Sequence, residues 1–341
     1  MSKSITAIIA VVIGFAVTFG FGFIVIPWLK KLKFGQTILD IGPKWHKSKE
    51  GIPTMGGILI FIGTAAAFLI GTAVDSTLGN GQLKSDISNP LKLSSLLSGI
   101  GLAVGMGLIG FLDDYIKVVK KRNLGLTARQ KTLLQFVVSA AFLVSLLLGG
   151  MSTTWLPFVG DVNITSGIGL VFWPIALFFV YGFTNAVNLT DGLDGLASSI
   201  TIVVCCAFMI AANILGFFAV NLCSAAVAGA LVGFLMWNSH PARVFMGDTG
   251  SMFLGGAVVA LAFGIGRPVL LILSGIVYLL EALSDILQVA HYKRTKKRLF
   301  KMAPIHHHFE MLGWSEEKIV FAFSAVALVG AVLMLLLVRY G

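Results

Sequence analysis

The sequence specifies an all-α integral membrane protein of about ten transmembrane helices, and three observations lead there. Hydrophobic residues fill 57% of the 341 positions and charged residues only 12%, far from the balance of a soluble domain. The apolar runs are long and continuous, without the ten-residue alternation of a membrane barrel. Inside a bilayer the backbone polar groups have no water to bond, so a chain of this kind crosses as self-satisfied helices.

In chain order the spans fall at residues 5–27, 55–74, 94–112, 132–150, 167–186, 196–217, 219–237, 250–266, 268–290 and 318–338. The first follows a single charged residue, Lys3, and lacks a small-residue cleavage site before the next charged loop, which reads as a retained span rather than a signal peptide. The 75–93 loop carries Gly79-Asn80-Gly81, a turn signal suited to a small hairpin. The 268–290 span encloses Glu281 and Asp285 at i and i+4, with Gln288 one turn on; acids in that setting mark either function or a buried structural pair. Cys205, Cys206 and Cys223 all fall within spans and read as small apolar residues, with neither a disulfide framework nor zinc spacing. No low-complexity linker or internal repeat divides residues 1–341, so the chain reads as one polytopic domain.

Orientation follows from the bases. Loops 28–54, 113–131 and 291–317 hold six Lys or Arg each, and Arg243 and Lys318 bring one side to 20 of the 25. The positive-inside rule makes these loops cytoplasmic and sets both termini outside. The net charge of +10 thus describes one face, suited to anionic lipid or phosphate-bearing substrates. No nucleic-acid-binding motif accompanies it.

The scarce acids gather on that same face. Asp113 and Asp114 end the third span, Asp191 and Asp194 lie in the loop before the sixth, and Asp248 lies before the eighth. Each pair of loops is separated by two crossings, which return the chain to one surface. A carboxylate at the bilayer centre costs about 2.5–3.5 kcal/mol on insertion scales, so acids at span ends face water or a functional cavity. A solvated helix terminus would also accommodate Asp113-Asp114, with Lys117 one turn away as an ion-pair partner. Gly192 and Gly195 interleave Asp191 and Asp194, allowing a tight turn and close backbone approach to a ligand; a polar cap on the sixth span is the simpler alternative. Around Asp248, Thr249-Gly250-Ser251 can cap the eighth span, where the helix N-terminus favours an anion. Capping alone leaves Asn238, Arg243 and Phe245 unexplained. His306-His307-His308 invite a transition-metal reading, but neighbours on a helix do not share a face, and bonds to phosphate or sugar suit them better. Acids converging among bases are what a Mg2+ site for phosphate substrates requires, since Mg2+ takes oxygen ligands and bridges to phosphate.

The ordered set Thr54-Met55-Gly56-Gly57, Asp113-Asp114, Asn188-Leu189-Thr190-Asp191-Gly192-Leu193-Asp194, Gly247-Asp248-Thr249-Gly250-Ser251 and Ala303-Pro304-Ile305-His306-His307-His308-Phe309-Glu310 resembles the phospho-N-acetylmuramoyl-pentapeptide transferases. These form a bacterial branch of the polyprenyl-phosphate N-acetylhexosamine-1-phosphate transferase superfamily, and the similarity runs over nearly the whole chain. The acid motifs fit the wider superfamily; the triple histidine with Phe309-Glu310 and the Asn-Leu-Thr-Asp wording resemble this branch.

The resemblance implies ten transmembrane helices around a cytoplasmic active-site cleft, commonly in a homodimer of the bacterial plasma membrane. It implies transfer of phospho-MurNAc-pentapeptide from its UDP carrier to undecaprenyl phosphate, giving lipid I and UMP with Mg2+ as cofactor. By motif position it assigns Asp248 to the metal, Asp113 to the acceptor phosphate as base, and Asp114 to the support of either. Lys117, Asn188, Asp191, Gly192, Leu193, Asp194, Asn238 and Phe245 match the nucleotide and sugar-phosphate pocket, with Phe245 stacked on uracil. His307, grouped with the catalytic residues, and His308 match further sugar or phosphate contacts, with Gln288 beside them. Two other functions fit the sequence features: a superfamily relative that uses UDP-N-acetylglucosamine, and a secondary transporter, although transporters place their sites near the bilayer midplane.

Overall fold

The chain winds back and forth as long helices because its apolar runs are broken only by short polar or glycine-bearing loops. In the computed structural model, residues 3–31, 49, 51–79, 81–119 and 124–341 are described. Most of the 28–54 basic loop, Lys120 to Asn123 of the next one, and Asn80 lie outside the described residues. The helices are α1 (Lys3–Lys31), α2 (Gly57–Thr77), α3 (Gln82–Ile87), α4 (Pro90–Val119), α5 (Ala128–Leu148), α6 (Phe172–Thr190), α7 (Leu196–Leu215), α8 (Phe218–Asn238), α9 (Gly247–Gly264), α10 (Leu270–Ser274), α11 (Ile276–Thr295), α12 (Ile305–Glu310) and α13 (Glu316–Tyr340). Two strands, β1 (Thr153–Leu156) and β2 (Gly160–Asn163), pair antiparallel between α5 and α6.

Nine helices among the described residues are long and apolar enough to cross a membrane, which makes this a multi-pass membrane protein. Burial sorts them. α8 and α9 are 83% and 78% buried along their apolar windows, whereas the other seven range from 22% to 50%. The two inner helices are the core, and the others turn one flank to lipid. α1 packs along α8 and α4 along α9; α2 leans on α1, α8 and α9, and α6 on α9. Helix association in lipid depends on close packing, and Ala and Gly supply it: Ala225, Ala226, Ala228, Ala230, Gly229 and Gly233 are all buried along α8.

Starts and stops are chemically marked at the ends facing the acids. Thr127 caps α5 by accepting from the Gln130 N–H while Gln130 returns a bond to the Thr127 N–H, a capping box that contributes roughly 0.5–2 kcal/mol. Ser315 caps α13 by accepting from the Lys318 N–H, and Glu316 and Glu317 favour its positive end.

Two expectations change. The turn at Gly79 does not open a hairpin: α2 runs on to Thr77, and the buried Asp75 carboxylate accepts from the Leu83 N–H at 2.9 Å, starting α3. The hairpin lies instead at 153–163, its turn made by Phe158 and Gly160 at positive φ. The expected span 268–290 is split at Gly275 into α10 and α11, and α11 continues to Thr295. Gly275 lies outside helical φ/ψ, and Gly330 of α13 presses against the Leu273 carbonyl, so the neighbour takes the place of a continued helix.

Candidate active site

One end of the bundle brings α4, α5, α6 and α9 to a single point, and each contributes a charged or amide side chain. Asp113 and Asp114 lie in the last turns of α4, buried at 4% and 3% exposure, and Lys117 follows one turn later. Asp248 opens α9. The Lys117 ammonium stands 2.6 Å from Asp113, 2.8 Å from Asp248 and 3.8 Å from Asp114. Lys131, on the first turn of α5, reaches the same Asp248 oxygen at 3.1 Å. The second Asp248 oxygen accepts from Asn188 Nδ2 at 2.7 Å, and that amide also donates to Ser251 Oγ at 2.8 Å. Asp114 accepts from both the Thr249 N–H and its hydroxyl at 2.9 and 2.7 Å, while Asp113 accepts from the Leu126 N–H at 2.8 Å. Carboxylates this close repel unless cations or donors lie among them, and two ammonium groups do so here.

The approach of α4, α2 and α9 that makes this possible requires glycine. A Cβ on Gly110 would lie 2.0 Å from the Asp248 carbonyl, and one on Gly57 would lie 2.2 Å from the Gly250 nitrogen. The Thr54-Met55-Gly56-Gly57 segment lies against the 245–246 backbone: Phe245 N–H donates to the Pro53 carbonyl, and Gly56 and Gly57 N–H donate to the Phe245 and Met246 carbonyls, all at 2.8 to 2.9 Å. An amide pair ties α5 to α6, because Gln135 and Asn185 exchange hydrogen bonds at 3.2 and 3.1 Å one turn from Lys131 and Asn188.

Beside this cluster the Asp191–Gly195 turn forms a second layer. Burial raises the Asp191 carboxyl well above the ordinary carboxylate range, helped by the charges of Asp248, Asp114 and Asp194 and opposed by a bond from the Gly247 backbone. Asp194 points elsewhere: it pairs with Lys49 at 2.7 Å and accepts from the Ala242 N–H and His240 at 3.0 Å, and Lys49 also holds Glu316 at 2.7 Å. Asp194, His240 and Glu316 offer ligand atoms within 4.8 Å of one another, but the Lys49 ammonium already bridges the two carboxylates. The Leu193 side chain is buried in the core. Asn238 is buried at 3%, accepting from Gly195 N–H and Ser198 and donating to the Val244 carbonyl, so its amide fixes this turn to the 239–246 loop. Phe245 is half-buried, its backbone paired with the 53–56 segment.

The three histidines of α12 diverge. His306, fully buried, meets Glu281 of α11 at 2.9 Å; His307 meets Glu310 at 2.5 Å; His308 accepts from the Lys301 N–H at 3.1 Å. Glu281 thus takes His306 as its partner instead of Asp285. A Cβ on Gly192 would lie 2.2 Å from His306 Nε2, so α12 reaches the carboxylates through the Asp191–Gly195 turn. Gln288 clamps the following loop, accepting from the Leu299 and Phe300 N–H groups at 2.9 Å and donating to the Phe300 carbonyl at 3.1 Å.

Asp113, Asp114, Lys117, Asn188 and Asp248 therefore meet directly, and Asp191 lies within their field. Gly192, Leu193 and Asp194 lie in the adjoining turn, and Asn238, Gln288, His307 and His308 stand around it on α8, α11 and α12. Sequence reasoning passed over Lys131, Thr249 as a partner of Asp114, and Lys49. Only for Lys131 was there a signal, a base just inside a capping box on the charged face.

A helical membrane bundle with carboxylates and ammonium groups at one helix-end junction fits a membrane enzyme that handles phosphate-bearing substrates. Comparison agrees: residues 96–265 match the model of glycosyl transferase family 4, and residues 49–61 match signature 1 of the phospho-N-acetylmuramoyl-pentapeptide-transferases. A phospho-N-acetylmuramoyl-pentapeptide-transferase of Clostridium perfringens is 46% identical over 326 residues, 94% of each chain. One from Halalkalibacterium halodurans is 43% identical over 330 residues, 97% of each. One from Bacillus cytotoxicus is 44% identical over 328 residues, 94% of this chain and 96% of that one. The chain belongs to the phospho-N-acetylmuramoyl-pentapeptide-transferase family, and it is a phospho-sugar transferase of peptidoglycan synthesis.

Proposed function

We propose that the chain transfers phospho-MurNAc-pentapeptide from UDP-MurNAc-pentapeptide to undecaprenyl phosphate, forming lipid I and releasing UMP, at the Asp113–Asp114–Asp248 junction. The observation that carries this is the meeting of Asp248 with Lys117, Lys131 and Asn188 beside Asp113. In the net reaction an oxygen of the acceptor phosphate bonds to the β-phosphorus of the UDP-sugar. The bridge from that phosphorus to the α-phosphate breaks, and UMP leaves with the electron pair.

Two anions must approach, so the chain's fixed cations do the first work. Lys117 and Lys131 shift from carboxylates to incoming phosphate oxygens, offsetting repulsion where water is scarce. Asp113, with Lys117 drawn away, takes any proton left on the acceptor phosphate, and the Leu126 N–H keeps it oriented. Asn188 holds Asp248 in place through Ser251. The donor set suits Mg2+: Asp113, Asp114 and Asp248 offer carboxylate oxygens within 4.8 Å of one another, all hard ligands. Asp248 would hold the ion with Asp114 in support, and bound Mg2+ would neutralise charge on the phosphates. Phe245 supplies a ring for uracil, and the Asp191–Asp194 turn, Asn238, Gln288, His307 and His308 shape the nucleotide and sugar side.

The excess of bases on the acid-bearing loops supports a site on the cytoplasmic face with both termini outside, and the family resemblance supports a homodimer. The test is UMP release by the full chain in vesicles. UDP-MurNAc-pentapeptide, undecaprenyl phosphate and Mg2+ together give UMP, and omission of any one abolishes it. Release from UDP-N-acetylglucosamine instead assigns the chain to the neighbouring superfamily activity, and substrate flux without UMP makes it a transporter.

A further inference from the structure

A cavity of about 360 Å³ lies between α2 and α4, floored by α8 and α9, far along the bundle from the carboxylates. Its volume falls within the usual range of ligand pockets. Its α4 wall, Ser95 to Val104, lies nine to eighteen residues before Asp113, about 14–27 Å along the helix. Against a hydrocarbon core of about 30 Å, this is the half of the membrane away from the site.

The wall is almost wholly hydrocarbon. Thr64, Ser95 and Cys223 are its only side chains bearing oxygen or sulfur, and the Thr64 hydroxyl is buried. A water needs two to four polar partners, so the cavity does not hold water. Its mouth is flanked by Phe61 and Leu69 of α2 and Ile100 of α4, all exposed on the flank that faces lipid. Towards the carboxylates the way is closed. Gly57 lies against Gly250, Gly107 against Phe253, and the Phe61 and Phe253 rings meet edge to face at 5.5 Å. A hydrocarbon tail fixed by its phosphate at Asp113 has no passage through this seal, and the mouth opens to lipid in the half of the membrane away from the site. The helix at that end, α3, packs on α2, α4 and α8 and exposes Lys84, while the neighbouring Lys92 is paired with Asp86 at 2.7 Å. The exposed Lys84 ammonium, on the short helix that caps this end of α2, α4 and α8, suits an anionic headgroup.

We propose that this cavity is a binding site for one acyl chain of an anionic phospholipid from the leaflet opposite the active site. The lipid fills a gap between two helices that rest on α9 instead of on each other, and so it supports the spans that carry Gly57 and Asp113.

The test uses the full chain in vesicles with phosphatidylglycerol bearing a photoreactive diazirine at mid-chain, and in parallel a diazirine-bearing polyprenyl phosphate. Adducts are mapped by mass spectrometry. The phosphatidylglycerol probe labels peptides covering 99–104 and 257–261, and the labelling saturates at a probe fraction where exposed Phe321 of α13 is still rising linearly. Ala103→Phe and Ala257→Leu, which fill the cavity, reduce those adducts about tenfold and leave Phe321 labelling and UMP release unchanged. Unsaturable labelling in the parent protein overturns the proposal without reference to any variant. So do adducts that persist in filled variants still releasing UMP, labelling by the polyprenyl probe alone, and an absence of labelling at these peptides.

Discussion

Asp248 carries more of the site's charge than any other residue, since two ammonium groups and an amide converge on it. Asp248→Asn keeps the shape and removes the charge; UMP release should fall by about 10²–10³-fold, the usual cost of losing one preorganised electrostatic group. Activity within a few fold at saturating Mg2+ would remove Asp248 from the metal. Phe245 and Asp113 separate binding from chemistry. Phe245→Ala should weaken uridine nucleotide binding by about 1–3 kcal/mol in calorimetry, while Asp113→Asn binds nucleotide normally and loses turnover. Asp191 offers a test by pH in buffers free of divalent cations. Its folded value is raised, chiefly by burial, so its contribution to stability is fully present below the ordinary carboxylate value and is lost as pH rises through the folded one. The Asp191→Asn protein should therefore melt higher than the parent at alkaline pH, by about 1.4 kcal/mol per unit of upward shift, with the gap closing in acid. An equal gap at all pH values would show that Asp191 titrates normally. Asp113, Asp114, Lys117 and Asp248 were legible in sequence because charge is scarce in this chain and each of them breaks an apolar pattern, whereas Asn188 came only with the family resemblance. Lys131 and Lys49 were less legible: their partners lie 117 and 145 residues away, and bases on a basic face carry no mark of which acid they will find.

At the scale of elements, the site depends on how closely helices approach. Gly110→Ala places a methyl against the Asp248 carbonyl; overpacking of this kind costs about 1–3 kcal/mol. The same shift should move Asp248 away from Lys117 and Lys131 and lower UMP release more than thermal stability, as melting and activity measured side by side will show. If both fall in proportion, the contact serves packing alone. The nine apolar helices were readable from composition, and the expected boundaries lie within a few residues of most of them. The split at Gly275 was not readable: the apolar run continues across it, and the cause is the surface of α13, some fifty residues further on. The hairpin was misplaced for a related reason. Asn-Gly reads as a tight turn, yet the deciding partner was Asp75, whose carboxylate starts a short helix there.

At the scale of the molecule, the distribution of bases predicts that a cysteine placed at Arg129 is shielded from an impermeant reagent outside the cell, while one at Phe158, 86% exposed on the hairpin, reacts. The opposite pattern would put the carboxylates on the outer face. The split helix also bears on how the protein is made. α11 is absent from the helices apolar enough to cross unaided, for it carries Glu281, Asp285, Lys293 and Arg294. Glu281 is fully buried, and the partner of its carboxylate, His306, lies downstream. A nascent chain that has reached Thr295 therefore offers the insertion machinery a segment with an unmet carboxylate, which at mid-bilayer costs about 2.5–3.5 kcal/mol. The following α13 is strongly apolar and packs on both α10 and α11. Stable integration of α11 should then wait until α13 has emerged, the two entering as a helical pair. Chains truncated after Trp314 should leave α11 open to protease or soluble label, and extension through Tyr340 should protect it; protection in the truncated chain would mean that α6, its earlier neighbour, is enough to recruit it.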